Sequence, residues 1–135
     1  MQTSPGGSRW RSASPYLLAG LLTFTGSTHF VAPTPYARIV PKGLPSPYGL
    51  VYASGVVELL CAAGLALPRT RRPAGWATAA LFVAVFPANI TMALDAGNRS
   101  GLYQAVVWTR LPVQLPLIWW AVAVAREAGQ PRETR

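Results

Sequence analysis

The chain has 135 residues, of which 51% are hydrophobic and 12% charged, and twelve Lys and Arg against four Asp and Glu give a formal net charge of +8. This apolar composition excludes a disordered basic arm. The few charges stand in short clusters between long apolar stretches, so we expect no nucleic-acid partner. One cysteine, Cys61, and one histidine, His29, argue against a dithiol centre, a haem or a metal site built from this chain alone.

The N-terminal third contains one short apolar run between two irregular segments. Residues 1–15 are rich in Ser, Gly and Pro and predict a flexible tail. The run 16–31 has the basic flank and apolar centre of a signal peptide, but no A-x-A-like cleavage site follows it and further apolar runs do, so we predict an uncleaved first span. Residues 32–47 hold five prolines and predict an interfacial loop.

Three longer apolar runs follow, at 49–67, 74–94 and 105–125. Each has the length of a membrane-spanning helix. The turn between the first two carries Arg69, Arg71 and Arg72, and residues 126–135 form a polar tail. The predicted fold is therefore all-α, a single four-transmembrane-helix bundle over residues 16–125.

The positive charges are unevenly divided between the two sides that four spans would create. The side of the termini has eight, against three on the other: Arg9, Arg11, Arg69, Arg71, Arg72, Arg126, Arg132 and Arg135, against Arg38, Lys42 and Arg99. This bias predicts that the N and C termini are cytoplasmic. The arginines of the turn are interpreted as a topology signal that also contacts anionic lipid.

Small residues at helical spacing indicate where neighbouring helices approach. Ala80, Ala84 and Ala88 form such a stripe on the third span, and Gly55, Ala62 and Gly64 offer similar surfaces on the second.

Two side chains that are charged at neutral pH lie inside the apolar spans, where they are costly and usually functional. Glu58 is in the second span and Arg110 in the fourth. Counting residues from the helix ends places them at depths that an arginine side chain can bridge. We predict a Glu58–Arg110 ion pair at the base of a polar pocket that opens outward, with His29, Asn89 and Gln114 on its walls. The alternative is a purely structural pair that locks the helices together.

Several segments, HFVAPTPYARIVPKGLPSP, LVYASGVVELL, LPRTRRPAGW, ALFVAVFPANITMAL and RLPVQLPLIWW, together resemble the DoxX family of small bacterial membrane proteins. The resemblance runs from about His29 to Ala125. It implies four transmembrane helices, a bacterial inner membrane and association with membrane redox or detoxification complexes. It supplies no catalytic residues.

These observations lead to one functional hypothesis and two alternatives. The first is an accessory subunit of a quinone-linked membrane redox or detoxification system, in which electrons are carried by a redox-enzyme partner or by the quinone itself. The second is a small proton-coupled transporter subunit, in which Glu58 carries the proton and a homo-oligomer completes the pathway. The third is a non-catalytic scaffold that anchors a soluble enzyme through its basic face.

Overall fold

The computed structural model describes residues 5–131, and within that range the chain forms helices and turns but no strand. Four long helical stretches run up and down, and one short helix lies between the first two. The helices are α1 (Pro5–Val31), α2 (Pro33–Arg38), α3 (Pro47–Ala66), α4 (Arg71–Ala84), α5 (Phe86–Leu94) and α6 (Gly101–Ala128), with a 3₁₀ turn at Asp95–Asn98. We call the end of the bundle that carries α2 the α2 end, and the opposite end the termini end.

Helix α1 begins earlier than the apolar pattern predicts. Its 27 residues include residues 5–15, which the sequence indicates as part of a flexible tail, while residues 1–4 lie outside the described range. The Trp10 ring stacks on that of Trp120 with centroids 6.4 Å apart, and the Trp120 indole N–H donates to the buried Ser14 hydroxyl at 2.7 Å. Contacts with α6 therefore give this polar segment a partner that its own composition does not reveal.

Prolines mark where the helices start and where one is broken. Pro33 and Pro47 occupy the first positions of α2 and α3, where a missing N–H costs nothing. The predicted span 74–94 is instead divided at Val85 into α4 and α5. Pro87 cannot donate to the helix, and proline disfavours helical backbone in the residue before it, so the break falls just upstream.

Three helical stretches in the described part of the chain are long and apolar enough to cross a membrane: Pro47–Ala66, Arg71–Asn98 and Gly101–Ala128. Helix α1 is not among them, and even its apolar part is interrupted by polar residues such as Thr25, Thr28 and His29. At 1.5 Å per residue its 27 residues still extend for about 40 Å.

Helix α1 packs along α3 and α4 along α6, and the contact between α3 and α4 joins the two pairs. Between them lies an apolar core near the termini end that includes Leu18, Leu22, Leu65, Phe82 and Val124.

The predicted alanine stripe on the third span is wrong. Ala80 and Ala84 are exposed, and the close approach to α6 is made by Gly75, where an added Cβ would lie 2.8 Å from the Cβ of Ala125. Spacing alone identified a row of small residues, but it did not show which face of the helix meets a neighbour.

Candidate functional site

A cavity of about 550 Å³ lies between the two helix pairs. Tyr36 and the segment after α2 line it at the α2 end, and Leu21, Leu81 and Leu117 line it toward the apolar core. Its polar lining consists of Thr25, His29, Tyr36, Ser54, Glu58, Asn89, Arg110 and Gln114. All five residues singled out from the sequence thus border one space.

The first wall of the cavity is an acid–base cluster on α1 and α3. The Thr25 hydroxyl donates to Glu58 Oε2 at 2.6 Å, and His29 Nε2 lies 3.7 Å from Glu58 Oε1. The His29 and Glu58 side chains are only 11% and 9% exposed, so little water screens the pair. Glu58 is therefore held by partners on α1.

The predicted Glu58–Arg110 ion pair is wrong. Glu58 pairs with His29, and Arg110 makes neither an ion pair nor a hydrogen bond with any other described residue. Depth counted along a helix placed both side chains beside the same cavity, but it did not show that α1 lies directly against Glu58 while α6 lies across the space.

Two facing glycines explain why α1 comes so close to Glu58. An added Cβ on Gly26 would lie 3.0 Å from the Glu58 Cβ and 3.2 Å from the carbonyl oxygen of Gly55. An added Cβ on Gly55 would lie 2.9 Å from the His29 Cβ. Because neither position has a side chain, the helices touch and His29 reaches the carboxyl group.

The protonation of His29 is constrained by its second ring nitrogen. Nδ1 lies 2.8 Å from the Thr25 carbonyl oxygen, which can only accept a hydrogen bond, so Nδ1 carries a proton and donates it. Nε2 is left facing the carboxyl group, and the ring is stacked on Tyr36 with centroids 4.2 Å apart. An imidazole and a carboxyl group that face each other are the residue types of a proton donor and a proton acceptor.

The opposite wall is built from amides on α5 and α6. Gln114 Nε2 donates to the Phe82 carbonyl oxygen at 2.6 Å, and Asn89 Nδ2 donates to Gln114 Oε1 at 3.3 Å. Phe82 is among the last four residues of α4, whose carbonyls lack a partner within the helix. The helix break near Pro87 thus supplies the acceptor for Gln114, and the bond from Asn89 joins α5 to α6.

Arg110 stands beside this amide wall, one turn before Gln114 on α6. The residue is exposed, yet it borders the cavity. A guanidinium group has five N–H donors and no acceptor. Arg110 therefore offers the cavity an uncommitted cationic donor opposite Glu58.

Sequence reasoning missed three polar residues of the cavity. Thr25 precedes His29 by four residues, and Ser54 precedes Glu58 by four, so each shares a helix face with a residue that was selected. The Ser54 hydroxyl oxygen is buried without a hydrogen-bond partner in the described chain. The four-residue spacing is the signal which could have identified Thr25 and Ser54. Tyr36 lies on α2, and no such spacing relates it to a predicted site residue.

The three arginines of the turn are not equivalent. Arg71 Nε donates to the Leu65 carbonyl at 2.8 Å, and its guanidinium lies 5.1 Å from the centroid of the Tyr16 ring. Arg69 and Arg72 are exposed. Arg71 thus caps the C-terminal end of α3, and Arg69 and Arg72 remain the candidates for lipid contact.

No group of three or more His, Cys, Asp and Glu side chains among residues 5–131 is arranged to hold a metal ion.

Comparison with known proteins gives a family without an activity. No curated protein and no solved structure matches the chain. One family model, described as a domain of unknown function (DUF8561), matches residues 18–125 and so includes every residue that lines the cavity. The chain therefore belongs to the DUF8561 family.

Proposed function

We propose that the protein spans a bacterial inner membrane four times, with both termini in the cytoplasm, and that it is related to the DoxX proteins it resembles. Three apolar helical stretches support three of the spans. Helix α1 is added because it packs along α3 and is long enough to cross the roughly 30 Å hydrocarbon core. The excess of arginine at the termini end supports the orientation.

Within that membrane, the function we propose is binding of a quinone head group, as an accessory subunit of a quinone-linked redox or detoxification system. One observation carries this proposal: a largely aliphatic cavity has an acid–base pair on one wall and amide and guanidinium donors on the other. Ligand sites commonly combine an apolar lining with a few polar groups that fix orientation.

The residues fit the chemistry of a quinone. Its ring carbonyl oxygens accept hydrogen bonds, which Arg110 and the second N–H of Asn89 would donate from one wall and Ser54 from the other. Reduction of a quinone to a quinol takes up two protons with two electrons. The His29–Glu58 pair would deliver the first proton and, after taking up another from water, the second, and the two electrons would come from a partner redox enzyme.

The test of this function is to extract the protein with its surrounding lipid and measure quinone per chain by mass spectrometry. The unmodified protein should carry near-stoichiometric quinone, and R110A should lose most of it at equal folded yield. The matched control is R99A, because Arg99 is an arginine outside the cavity, stacked on Tyr103 at the α2 end. Background quinone in the unmodified protein, or equal loss in both variants, would remove the basis of the proposal.

Glu58 allows a separate test of proton delivery. E58Q keeps an oxygen that can accept the Thr25 hydrogen bond but cannot hold a transferable proton. The protein is placed in proteoliposomes that contain quinone, and the quinone is reduced chemically. Proton uptake should be rapid with the unmodified protein and about tenfold or more slower with E58Q. Equal rates at equal folded yield would show that the pair is structural.

A second candidate function is a small proton-coupled transporter subunit, and the break at Val85 favours it. Interrupted helices at a central site are typical of secondary transporters. Here the break lies beside the cavity, since Val85 and Pro87 both line it. Proton-driven movement of a solute without bound quinone would support this alternative.

A further inference from the structure

A shallow groove on the surface of α6 shares one residue with the cavity. The groove is about 370 Å³ and is lined by Ala105, Val106, Thr109, Arg110 and Val113. All five are exposed, with Val106 53% and Val113 47% accessible. Its lining is aliphatic apart from Thr109 and Arg110, so it suits a hydrocarbon chain.

Helical spacing explains how Arg110 belongs to both spaces. Residues three and four apart are neighbours on a helix surface. Val106 and Val113 are four before and three after Arg110 and lie in the groove, whereas Gln114 and Leu117 are four and seven after it and line the cavity. Arg110 therefore stands on the boundary between the bilayer-facing groove and the interior space.

We propose that the cavity and the groove form one site for a quinone with an isoprenoid chain, with the head group beside Glu58 and the chain passing Arg110 into the groove. This inference rests on the proposed quinone site and adds the class of substrate, a membrane-soluble quinone rather than a water-soluble one. The continuity at Arg110 is the argument for a single ligand. A head group in the cavity would give the guanidinium a polar partner, and an attached chain would cover the exposed aliphatic residues of the groove beside it.

The experiment compares quinones that share a head group and differ only in the chain. Full-length protein in nanodiscs is titrated with benzoquinone and naphthoquinone heads, each without a chain and with a short isoprenoid chain. The chain should tighten binding, since each buried CH₂ contributes about 0.8 kcal/mol. V106W, which fills the groove, should weaken the chain-bearing probe about tenfold and leave the chainless probe unchanged.

The matched control is L115W, because Leu115 is 63% exposed on α6 and borders neither space. Equal effects of V106W and L115W, or equal affinities with and without the chain, would refute the assignment of the groove to the isoprenoid chain. Either result would leave the proposed head-group site in the cavity standing. Loss of co-purified phospholipid from V106W alone, with quinone affinities unchanged, would assign the groove to bilayer lipid and also overturn the inference. Failure of every probe to bind the unmodified protein would refute the quinone site itself.

Discussion

Replacing Gly75 by alanine tests the contact between α4 and α6 on which the amide wall depends. The added Cβ would lie 2.8 Å from the Ala125 Cβ and 2.9 Å from both its Cα and its backbone nitrogen. Ordinary contact starts near 3.4 Å, so the helices must separate locally by about 0.6 Å. Two of the three atoms are backbone, and no side-chain rotation can relieve the clash.

The expected loss in the free energy of unfolding of G75A follows from poorer packing between α4 and α6 at this contact. A radial gap of about 0.5–1 Å forfeits a quarter to a half of each dispersion contact, and overpacked sites typically lose about 1–3 kcal/mol. Alanine regains about 1 kcal/mol of helix propensity relative to glycine. The free energy of unfolding should therefore fall by up to about 2 kcal/mol in G75A.

The assay is reversible unfolding of the protein in mixed micelles, followed by far-UV circular dichroism. The control is G20A, because an added Cβ on Gly20 in α1 meets nothing within 4 Å. That variant should be unchanged or more stable by up to about 1 kcal/mol. If G75A is as stable as G20A, the helices do not approach as closely as described, and the placement of Gln114 against Phe82 loses its support.

Two further predictions concern the termini end. R71A should lower the free energy of unfolding by about 1–2 kcal/mol because it removes the bond to the Leu65 carbonyl, while R69A, a change at an exposed arginine of the same turn, should be nearly neutral by the same denaturant titration. S14A and W120F should each cost about 1 kcal/mol, and the double variant should cost less than their sum, because both remove the same 2.7 Å hydrogen bond. Full additivity in that cycle would contradict the contact between α1 and α6.

The sequence predicted the helical class and the apolar stretches well because both depend on composition along the chain. The predicted runs 49–67 and 105–125 overlap α3 and α6, which extend over Pro47–Ala66 and Gly101–Ala128. The helical first turns of α1 were not predictable, because residues 5–15 have no apolar pattern and are held by Trp120, more than a hundred residues away.

The site was predictable as a set of residues but not as a set of contacts. Burying a polar side chain in an apolar span costs free energy, so Glu58, Asn89 and Gln114 can be identified as candidates from the sequence alone. Which partner each takes depends on helix rotation and on crossings such as Gly26 with Gly55, which spacing does not fix. The sequence therefore offered Arg110 as the partner of Glu58, and the structure provides His29.

Helix α6 has a role in assembly that follows from its place in the order of synthesis. It carries Gln114 for the carbonyl of Phe82, and Trp120 for the first turns of α1. Both of these partners precede α6 in the chain, so neither can make its contact until α6 has been synthesised. The cavity is likewise incomplete before that point, because Arg110, Gln114 and Leu117 of α6 form part of its lining.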